Sequence, residues 1–383
     1  MSIDFETKCV HGFPEKSLKE EYRSISFPIY QTASFSHIKT GHNESGFDYT
    51  RESNPTRQRV EEVVASLENA EYAVAFTSGM AAVTAVLELF EPDTEIICSE
   101  DLYGGVIRLH NIINIKNGIY AKYTDTSEEA EIFSAISEKT RAIYVETPSN
   151  PMMNITDIHL TADIAHKNGL VLIVDNTFLS PYFQNPLELG ADIVIHSGSK
   201  FLSGHNDTIS GFVCTNNKKI ADQIRLISKT TGAALSPFDS WLVIRGIKTL
   251  AVRMERQQEN AVKLVDFLMS HRKVTHVYYP ALSSHKGCDV NKSQARGSGS
   301  MISFNVDSPK TAEKLLKNVK IAIFAESLGG TETLITYPVL QTHPDVPKGM
   351  RDRLGINDTL LRMSVGLENA DDIINDIAQA LED

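Results

Sequence analysis

Short apolar runs alternate with helical patterns from about residue 57 to residue 197, and this alternation restricts the fold more than any other feature. The apolar runs predict the strands YAVAFT, EIICS, AIYVETP, GLVLIVDN and ADIVIHS, and the intervening segments SGMAAVTAVLELF, YGGVIRLHNII and DIHLTADIAHKNG predict helices. Buried β-branched strands separated by helices are typical of a mainly parallel sheet covered on both faces. We therefore predict an α/β fold whose ligands bind at the carboxyl ends of the strands.

The character of the sequence changes on either side of this segment. Residues 1–50 lack periodicity but carry aromatic side chains, so we expect an N-terminal arm that contacts a neighbouring subunit. Residues 51–245 should form the large domain. A helical pattern at 237–270 leads into the predicted strands THVYYPAL, GSMISFNV and LLRMSVGL, mixed with the helices TAEKLLKN and DDIINDIAQALE. Residues 246–383 are therefore predicted to form a smaller α+β domain.

Composition excludes several classes of function. The 383 residues carry a net charge of −12, and no block of lysine or arginine suggests binding to nucleic acid or to an anionic membrane. The four cysteines are scattered without a Cys-x-x-Cys pair, which argues against a disulfide framework or a structural metal site. We see no apolar signal-peptide segment and no run long enough to span a bilayer, so we expect a cytoplasmic protein.

Five loops that follow predicted strands carry chemically reactive or polar residues. TSGMAA opens a helix with small residues, where free backbone N–H groups can bind an anion or where Ser78 is an ordinary cap. Tyr103 could lie over a planar ligand or simply line a turn. Asn150 presents an amide between two prolines, which is also ordinary turn chemistry. Asp175 ends an apolar strand, and a buried carboxylate there needs a positive partner.

The fifth loop, HSGSK, places Lys200 directly after a buried strand. Partial burial lowers the pKa of a lysine and makes the amine nucleophilic, while Ser197 and Ser199 offer hydroxyls to an anion. An anion site, an aromatic face, a buried carboxylate and a reactive amine together suit pyridoxal 5′-phosphate. A nicotinamide-dependent oxidoreductase is a competing class, but the chain lacks a glycine fingerprint after a strand. A cofactor-binding regulator without catalysis would need a DNA-binding module, and none is attached.

Over nearly its whole length the chain resembles the trans-sulfuration (Cys/Met metabolism) family of fold-type I pyridoxal-phosphate enzymes. The resemblance rests on motifs that occur here in the family's order: GFDYTRESNPTR, FTSGMAA, DLYGGVIRL, VETPSNP, VDNTF, HSGSKFLSGHND, FDSWLVIRGIKTLAVRM, AESLGGTETLITYP and LLRMSVGLE. One departure is local, since the family's usual Ser-Ala-Thr-Lys is Ser-Gly-Ser-Lys here. Both changes keep small residues and the hydroxyl before the lysine, so we expect them to be tolerated.

The resemblance implies a role for each matching residue. Lys200 is similar to the lysine that forms the Schiff base, Asp175 to the partner of the ring nitrogen, and Tyr103 to the tyrosine that stacks on the ring and assists proton transfer. Further residues implied to bind the cofactor are Ser78, Gly79, Met80, Thr177, Ser197 and Ser199, with Tyr49 and Arg51 reaching the phosphate in the neighbouring subunit. Arg362 is implied to clamp the substrate α-carboxylate, beside Ser327 and Asn150. The family also implies a homotetramer of two catalytic dimers that binds small amino acids.

Members of this family differ in reaction, because synthases replace a group at Cγ whereas lyases eliminate at Cβ or Cγ. Gly105 stands where methionine γ-lyases carry a cysteine, which argues mildly against that activity. Glu326 resembles the carboxylate that binds the distal ammonium group in γ-synthases and γ-lyases. The motifs most resemble bacterial cystathionine γ-synthases that also act as O-acetylhomoserine thiolyases. A cystathionine γ- or β-lyase is the alternative.

Overall fold

A computed structural model describes residues 3–12, 24–40, 43, 45–344 and 346–382. Within them, the larger sheet has the order β1-β7-β6-β5-β4-β2-β3. Its strands are β1 (Tyr72–Phe76), β2 (Thr94–Ser99), β3 (Ile119–Thr124), β4 (Thr140–Glu146), β5 (Val171–Asp175), β6 (Ile193–Ser197) and β7 (Gly211–Thr215). Only β7 runs against its neighbours, pairing antiparallel with both β1 and β6. The predicted mainly parallel α/β sheet is confirmed.

Helices cover both faces of this sheet. They are α1 (Phe5–His11), α2 (Pro55–Leu67), α3 (Gly79–Leu87), α4 (Gly104–Arg108), α5 (Glu129–Ala135), α6 (Ile158–Lys167), α7 (Ser180–Phe183), α8 (Lys218–Thr231) and α9 (Pro237–Ile247). Side chains alternate along each strand between two apolar cores, so that on β4 Ile143 lies in one core and Tyr144 in the other. Burial on both faces explains why these strands read as continuous apolar runs.

The second sheet is smaller and mostly antiparallel, with the order β10-β11-β12-β9-β8. Its strands are β8 (Val274–Tyr278), β9 (Met301–Val306), β10 (Ile323–Phe324), β11 (Leu334–Thr336) and β12 (Leu360–Ser364). The accompanying helices are α10 (Leu250–Ser270), α11 (Cys288–Gln294), α12 (Pro309–Asn318), α13 (Lys348–Leu354) and α14 (Ala370–Leu381). The predicted α+β character of the C-terminal part is confirmed.

The structure corrects two predicted helices, and in the first the helical pattern at 237–270 forms two helices, α9 and α10. The carbonyl of Gly246 accepts a hydrogen bond from the Arg253 guanidinium at 2.9 Å and another from the Thr249 hydroxyl at 3.1 Å. The Thr249 N–H also donates to this carbonyl, at 3.1 Å, so the backbone at the break closes a three-residue turn in place of an α-helical one. The helix predicted from YGGVIRLHNII also changes, since α4 is followed by a π-helical turn at Leu109–Ile113.

The N-terminal segment is only partly described, and residues 1, 2, 13–23, 41, 42 and 44 of the predicted arm lie outside the described residues. Helix α1 packs on α2 of its own chain, where the His11 carbonyl accepts from Arg59. Further along, Phe35 and Phe47 pack ring to ring with centroids 5.6 Å apart. No helix in the described part of the chain is long and apolar enough to cross a membrane.

Candidate active site

A cavity of about 520 Å³ lies where the carboxyl ends of the parallel strands face the second sheet. Its size is in the range usual for small-molecule sites. Residues from both sheets line it: Ser78, Gly79, Met80, Val83, Tyr103, Val106, Glu146, Asn150, Asp175, Thr177, Phe178, Ser197, Ser199, Lys200, Asn206, Thr208, Ile209, Ala325, Glu326, Ser327, Leu328, Leu334, Thr342 and Arg362. All the predicted cofactor and substrate residues except Tyr49 and Arg51 thus meet in one place.

Lys200 follows β6 directly, and its Nζ donates a hydrogen bond to the Ser327 hydroxyl at 2.8 Å. The pKa of the amine is lowered to about 8, chiefly by burial and also by the nearby positive charge of Arg362, while Glu326 opposes both effects. The loop that carries Ser327 lies against the lysine backbone. A Cβ atom on Gly329 would lie 2.7 Å from the Phe201 nitrogen, and this glycine has a φ of +79°.

Asp175 ends β5 and is held by neutral donors. Its Oδ1 accepts from the Thr177 hydroxyl at 2.5 Å and from the Thr177 N–H at 3.0 Å, and its Oδ2 accepts from the Tyr144 hydroxyl at 3.4 Å. Burial raises the pKa of this carboxyl, whereas the bonds from Thr177 lower it. A buried carboxylate held in this way is suited to a cationic ligand group, such as a protonated ring nitrogen.

The start of α3 faces the loop that precedes Lys200. Ser78 caps the helix by accepting the Ala81 N–H at 3.0 Å, and the first helical N–H groups, at Gly79 and Met80, have no partner inside the helix. A Cβ atom on Gly79 would lie 2.9 Å from the Ser197 Cβ, so only glycine permits this approach. The Ser199 hydroxyl accepts from the Ser210 N–H at 2.9 Å and donates to the Ser210 carbonyl at 3.2 Å. Its predicted role at a phosphate stays a prediction.

Tyr103 stands just before α4, and its side chain is accessible at the cavity. Its backbone N–H donates to Glu146 Oε2 at 3.0 Å. Glu146 ends β4 and is in register with Asp175 on β5, so the two carboxyl groups are neighbours. Burial raises the pKa of Glu146 well above its usual value, and the charge of Asp175 raises it further. Burial raises the pKa of Asp175 as well, so the two neighbouring carboxyl groups both favour a proton or a nearby positive charge.

Arg362 reaches the cavity from the second sheet, in the middle of β12. Its Nη1 donates to the Asn150 amide oxygen at 2.6 Å, and its Nη2 donates to the Ser327 carbonyl and the Thr336 hydroxyl, each at 3.2 Å. Burial lowers the pKa of this guanidinium to about 10, which leaves it charged at neutral pH. Ser327, with a φ of +91°, thus contacts both Arg362 and Lys200. A backbone conformation of this kind in a residue other than glycine typically costs about 1–3 kcal/mol.

Tyr49 and Arg51 are not brought into this cavity. Together with Gln31, Thr32, Ala33, Thr50 and Pro237 they line a separate cavity of about 300 Å³. The Arg51 guanidinium lies 5.4 Å from the Tyr49 ring centroid. Their predicted contact with a neighbouring subunit's phosphate remains a prediction.

Several lining residues escaped the sequence analysis, and Glu146 is the most informative. It ends the apolar strand AIYVE just as Asp175 ends VLIVD, so the reasoning applied to Asp175 would also have found it. Asn206, Thr208, Ile209 and Thr342 come from loops without a distinctive pattern, and nothing in their local sequence predicts a place in the site.

The arrangement fits pyridoxal 5′-phosphate. The start of α3 and Ser197 can bind a phosphate, Asp175 a ring nitrogen, Tyr103 a ring face, and Lys200 an aldehyde carbon. Arg362 lies across the cavity, where a carboxylate could form paired hydrogen bonds with its guanidinium.

Comparison with known proteins agrees with this chemistry. The model of the Cys/Met metabolism PLP-dependent enzyme family matches residues 6–382. Cystathionine gamma-lyase of Bacillus subtilis is 46% identical over 95% of this chain and 96% of its own. Cystathionine gamma-synthase of Haemophilus influenzae is 45% identical over 94% of both chains.

A solved structure extends the likeness to the fold. Cystathionine gamma synthase from Xanthomonas oryzae pv. oryzae, in complex with aminoacrylate and cysteine, superposes with a TM-score of 0.96 at 34% identity. The superposition covers 100% of this chain and 98% of that one. The chain therefore belongs to the Cys/Met metabolism family of pyridoxal-phosphate-dependent enzymes, a member of the fold-type I group with pyridoxal 5′-phosphate as its cofactor.

Proposed function

We propose that this enzyme is a cystathionine γ-synthase, which replaces the acyl group of an O-acylhomoserine by cysteine or sulfide. The observation that supports an enzyme acting on cystathionine or its precursors is that Glu326 and Arg362 line the same cavity, with Ser327 next to Glu326 in the chain and bonded to Arg362 through its carbonyl. A guanidinium can bind the α-carboxylate of one amino acid while a carboxylate binds a distal ammonium group. This arrangement suits substrates or products with amino-acid groups at both ends.

Each of the main residues of the cavity then has a definite task. When bound, the cofactor supplies an electron sink for negative charge at the substrate carbons. The amine of Lys200, with Tyr103 beside it, moves protons at Cα and Cβ, and positioned bases of this kind typically contribute ~10²–10⁴-fold. Asp175 holds the ring nitrogen in its charged form, and Arg362 orients the substrate through its carboxylate. The Cγ–O bond breaks and the acyloxy group leaves as a free carboxylate. The thiolate of cysteine then forms the Cγ–S bond, and the protons taken from Cα and Cβ return to the product.

The proposal includes a second subunit. Tyr49 and Arg51 lie outside the cavity of their own chain and carry a phenol and a guanidinium, which suit a phosphate. We propose that they complete the phosphate site of a partner subunit, in a homotetramer built from two such dimers. A protein that stays monomeric when fully active would contradict this part of the proposal.

A cystathionine lyase is the second candidate. Elimination from cystathionine uses the same proton transfers at Lys200, and a cystathionine gamma-lyase is as similar in sequence as the synthase. Glu326 serves a γ-lyase equally well, because cystathionine also carries a distal ammonium group. A β-lyase would act at Cβ of the same molecule and release pyruvate.

The test uses the cofactor-loaded protein in two incubations, one with O-acetylhomoserine and cysteine and one with cystathionine alone. We expect cystathionine to form in the first with a higher kcat/KM than its breakdown in the second. Production of 2-oxobutyrate or pyruvate with ammonia as the dominant activity would replace the synthase by the corresponding lyase. Parallel incubations with O-succinylhomoserine and with sulfide identify the acyl group and the sulfur donor.

A matched pair of variants tests the role of Glu326. Glu326→Gln removes the charge next to the site, and Glu313→Gln removes one from an exposed position on α12. We expect only the first to raise the KM for cysteine or cystathionine, by roughly tenfold for one weakened charge-assisted hydrogen bond. Equal KM values in the two variants would remove Glu326 from the proposed site.

A further inference from the structure

Asp101, in the loop after β2, is a buried carboxylate bound by a single neighbouring loop. Its Oδ2 accepts hydrogen bonds from the Ser149 hydroxyl, from the Met152 N–H at 3.2 Å and from the Asn154 side-chain amide at 3.3 Å. Its Oδ1 is buried without a partner among the described residues. Burying a charge in this way is costly, so the three bonds must hold the loop strongly enough to offset it.

The loop that Asp101 holds carries Asn150, the closest partner of the Arg362 guanidinium. Ser149, bonded to Asp101, directly precedes Asn150, whose amide oxygen accepts from Arg362 Nη1 at 2.6 Å. The other two bonds of the guanidinium are longer, at 3.2 Å each. On its other side, the Asn150 carbonyl lies 3.0 Å from His343 Nε2. A change at Asp101 can therefore reach the guanidinium through Ser149 and Asn150.

Asp101 also lies two residues before Tyr103, so it joins two loops of the cavity. The Tyr103 N–H is bonded to Glu146 at the end of β4, while Asp101 holds residues 149–154 just beyond the same strand. Strands β2 and β4 are neighbours in the sheet. The two loops are thus tied together at the edge where the cavity opens.

Among the described residues, no cation forms an ion pair with Asp101. The pKa of its carboxyl is raised to about 7, chiefly by burial and also by the negative charges of Glu100 and Asp125, while the bonds from Ser149 and Met152 oppose the rise. A carboxylate kept at this cost, away from the substrate cavity lining, suggests a role beyond stability.

We propose that Asp101 is a positioning residue that fixes Asn150 and, through it, orients Arg362 for the carboxylate of an amino-acid substrate. The inference rests on the role of Arg362 given under the proposed function, and it extends that role to a residue that touches neither substrate nor cofactor. Above this pKa, where the carboxyl is ionised, loss of the negative charge should loosen the 149–154 loop and leave the guanidinium less well aligned, because charge-assisted hydrogen bonds are roughly twice as strong as neutral ones.

The test compares Asp101→Asn with Asp376→Asn. Asp376 is a matched control in the second sheet's domain, since it too is buried and accepts hydrogen bonds, from the N–H groups of Lys320, Ile321 and Ala322 and from the side-chain amide of Gln379. The dissociation constant of L-alanine is followed by the change in the cofactor's visible absorption, which needs no turnover. This binding measurement therefore tests Asp101 even if the enzyme proves to be a lyase. The KM and kcat values are measured separately, with whichever substrate the enzyme converts.

We expect Asp101→Asn to raise the dissociation constant and KM about tenfold with less than a threefold change in kcat, and Asp376→Asn to leave all three unchanged. Introduced into Arg362→Lys, Asp101→Asn should add less than a twofold effect, because both changes act on one interaction. Fully multiplicative effects, or an equal rise of KM in Asp376→Asn, would overturn the proposal.

Ser149→Ala removes one donor to Asp101 and is expected to raise KM about threefold. This variant is the test to use if Asp101→Asn does not fold. An unchanged KM in Ser149→Ala would count against the proposal.

Discussion

The two walls of the cavity hold their cations in different ways. Lys200, from the large sheet, sits in a loop after β6 and makes one side-chain hydrogen bond, to Ser327. Arg362, from the second sheet, sits within β12, whose backbone pairs with β11 and β9 on its two sides. Its guanidinium donates to three oxygens and is only 2% exposed. One wall thus presents an amine held by a single side-chain hydrogen bond, and the other presents a fixed anchor.

Replacing Lys200 tests the wall built by the large sheet and should have the largest effect on activity. On the proposed roles, Lys200→Ala removes both the amine that would bind the cofactor and the group that would move protons, so we expect turnover to fall by at least about 10⁴-fold. The visible absorption of the bound cofactor should change at the same time. Lys218→Ala, at an exposed lysine of α8, is the control. Full activity in purified Lys200→Ala protein would refute the assignment.

Asp175→Asn tests whether catalysis on the Lys200 side of the cavity depends on a negative charge beside the ring nitrogen of the cofactor. The amide keeps the shape and a bond to Thr177 but loses the negative charge, and hydrogen bonds to charged groups contribute about 1.5–3 kcal/mol. We expect kcat to fall by roughly 10²-fold with little change in KM. Asp266→Asn, at an exposed position of α10, should match the unmodified enzyme. A kcat equal to that of this control would exclude the proposed pairing.

Arg362→Lys tests the fixed side. Lysine retains the charge but cannot form two parallel hydrogen bonds to a carboxylate, and it leaves Asn150 without its close partner. We expect KM for the amino-acid substrate to rise roughly 10- to 10²-fold, as for one lost charge-assisted bond, with a smaller change in kcat. Arg256→Lys on α10 is the control. A fall confined to kcat would show that Arg362 does not anchor the substrate.

The smallest effects concern pH and link the two walls directly. With the pKa of Lys200 at about 8 in the cofactor-free protein, capture of pyridoxal phosphate should accelerate as pH rises through 8, because only the neutral amine reacts. Arg362 lowers this pKa and Glu326 raises it. We therefore expect Arg362→Gln to move the midpoint to higher pH and Glu326→Gln to move it to lower pH. Stopped-flow recording of the cofactor's absorption measures both, and shifts in the opposite directions would contradict the electrostatic account.

The wall built by the large sheet was predictable from sequence, and the other wall was not. Lys200, Asp175 and Tyr103 follow apolar strands whose carboxyl ends meet at one edge, so pattern and chemistry together predicted their convergence. Arg362 lies inside LLRMS, where the pattern indicates only a buried strand, and its role came from the family resemblance. Ser327 and Glu326 follow β10, which has two residues and leaves no pattern to detect.

The sequence analysis missed strands β3 and β7, and each omission has a physical cause. β3 lies at the edge of the sheet with every second residue less buried, so IYAKYT is not a continuous apolar run. β7 begins with glycine and pairs antiparallel, which the α/β alternation does not lead one to expect. The break between α9 and α10 depends on Arg253 and Thr249 bonding to Gly246, a tertiary contact that helical periodicity does not reveal.

The antiparallel position of β7 has a consequence for synthesis of the chain. β7 lies between β1 and β6, and its Gly211 pairs with both Phe76 and Ser197. Until β7 has left the ribosome, β1 and β6 have no strand between them to set their register. At ordinary translation rates, the interval between synthesis of β1 and of β7 is on the order of ten seconds. A nascent chain that ends just after Lys200 therefore carries this lysine but lacks the strand that joins the two halves of the cavity edge, and we expect cofactor capture to follow the emergence of β7.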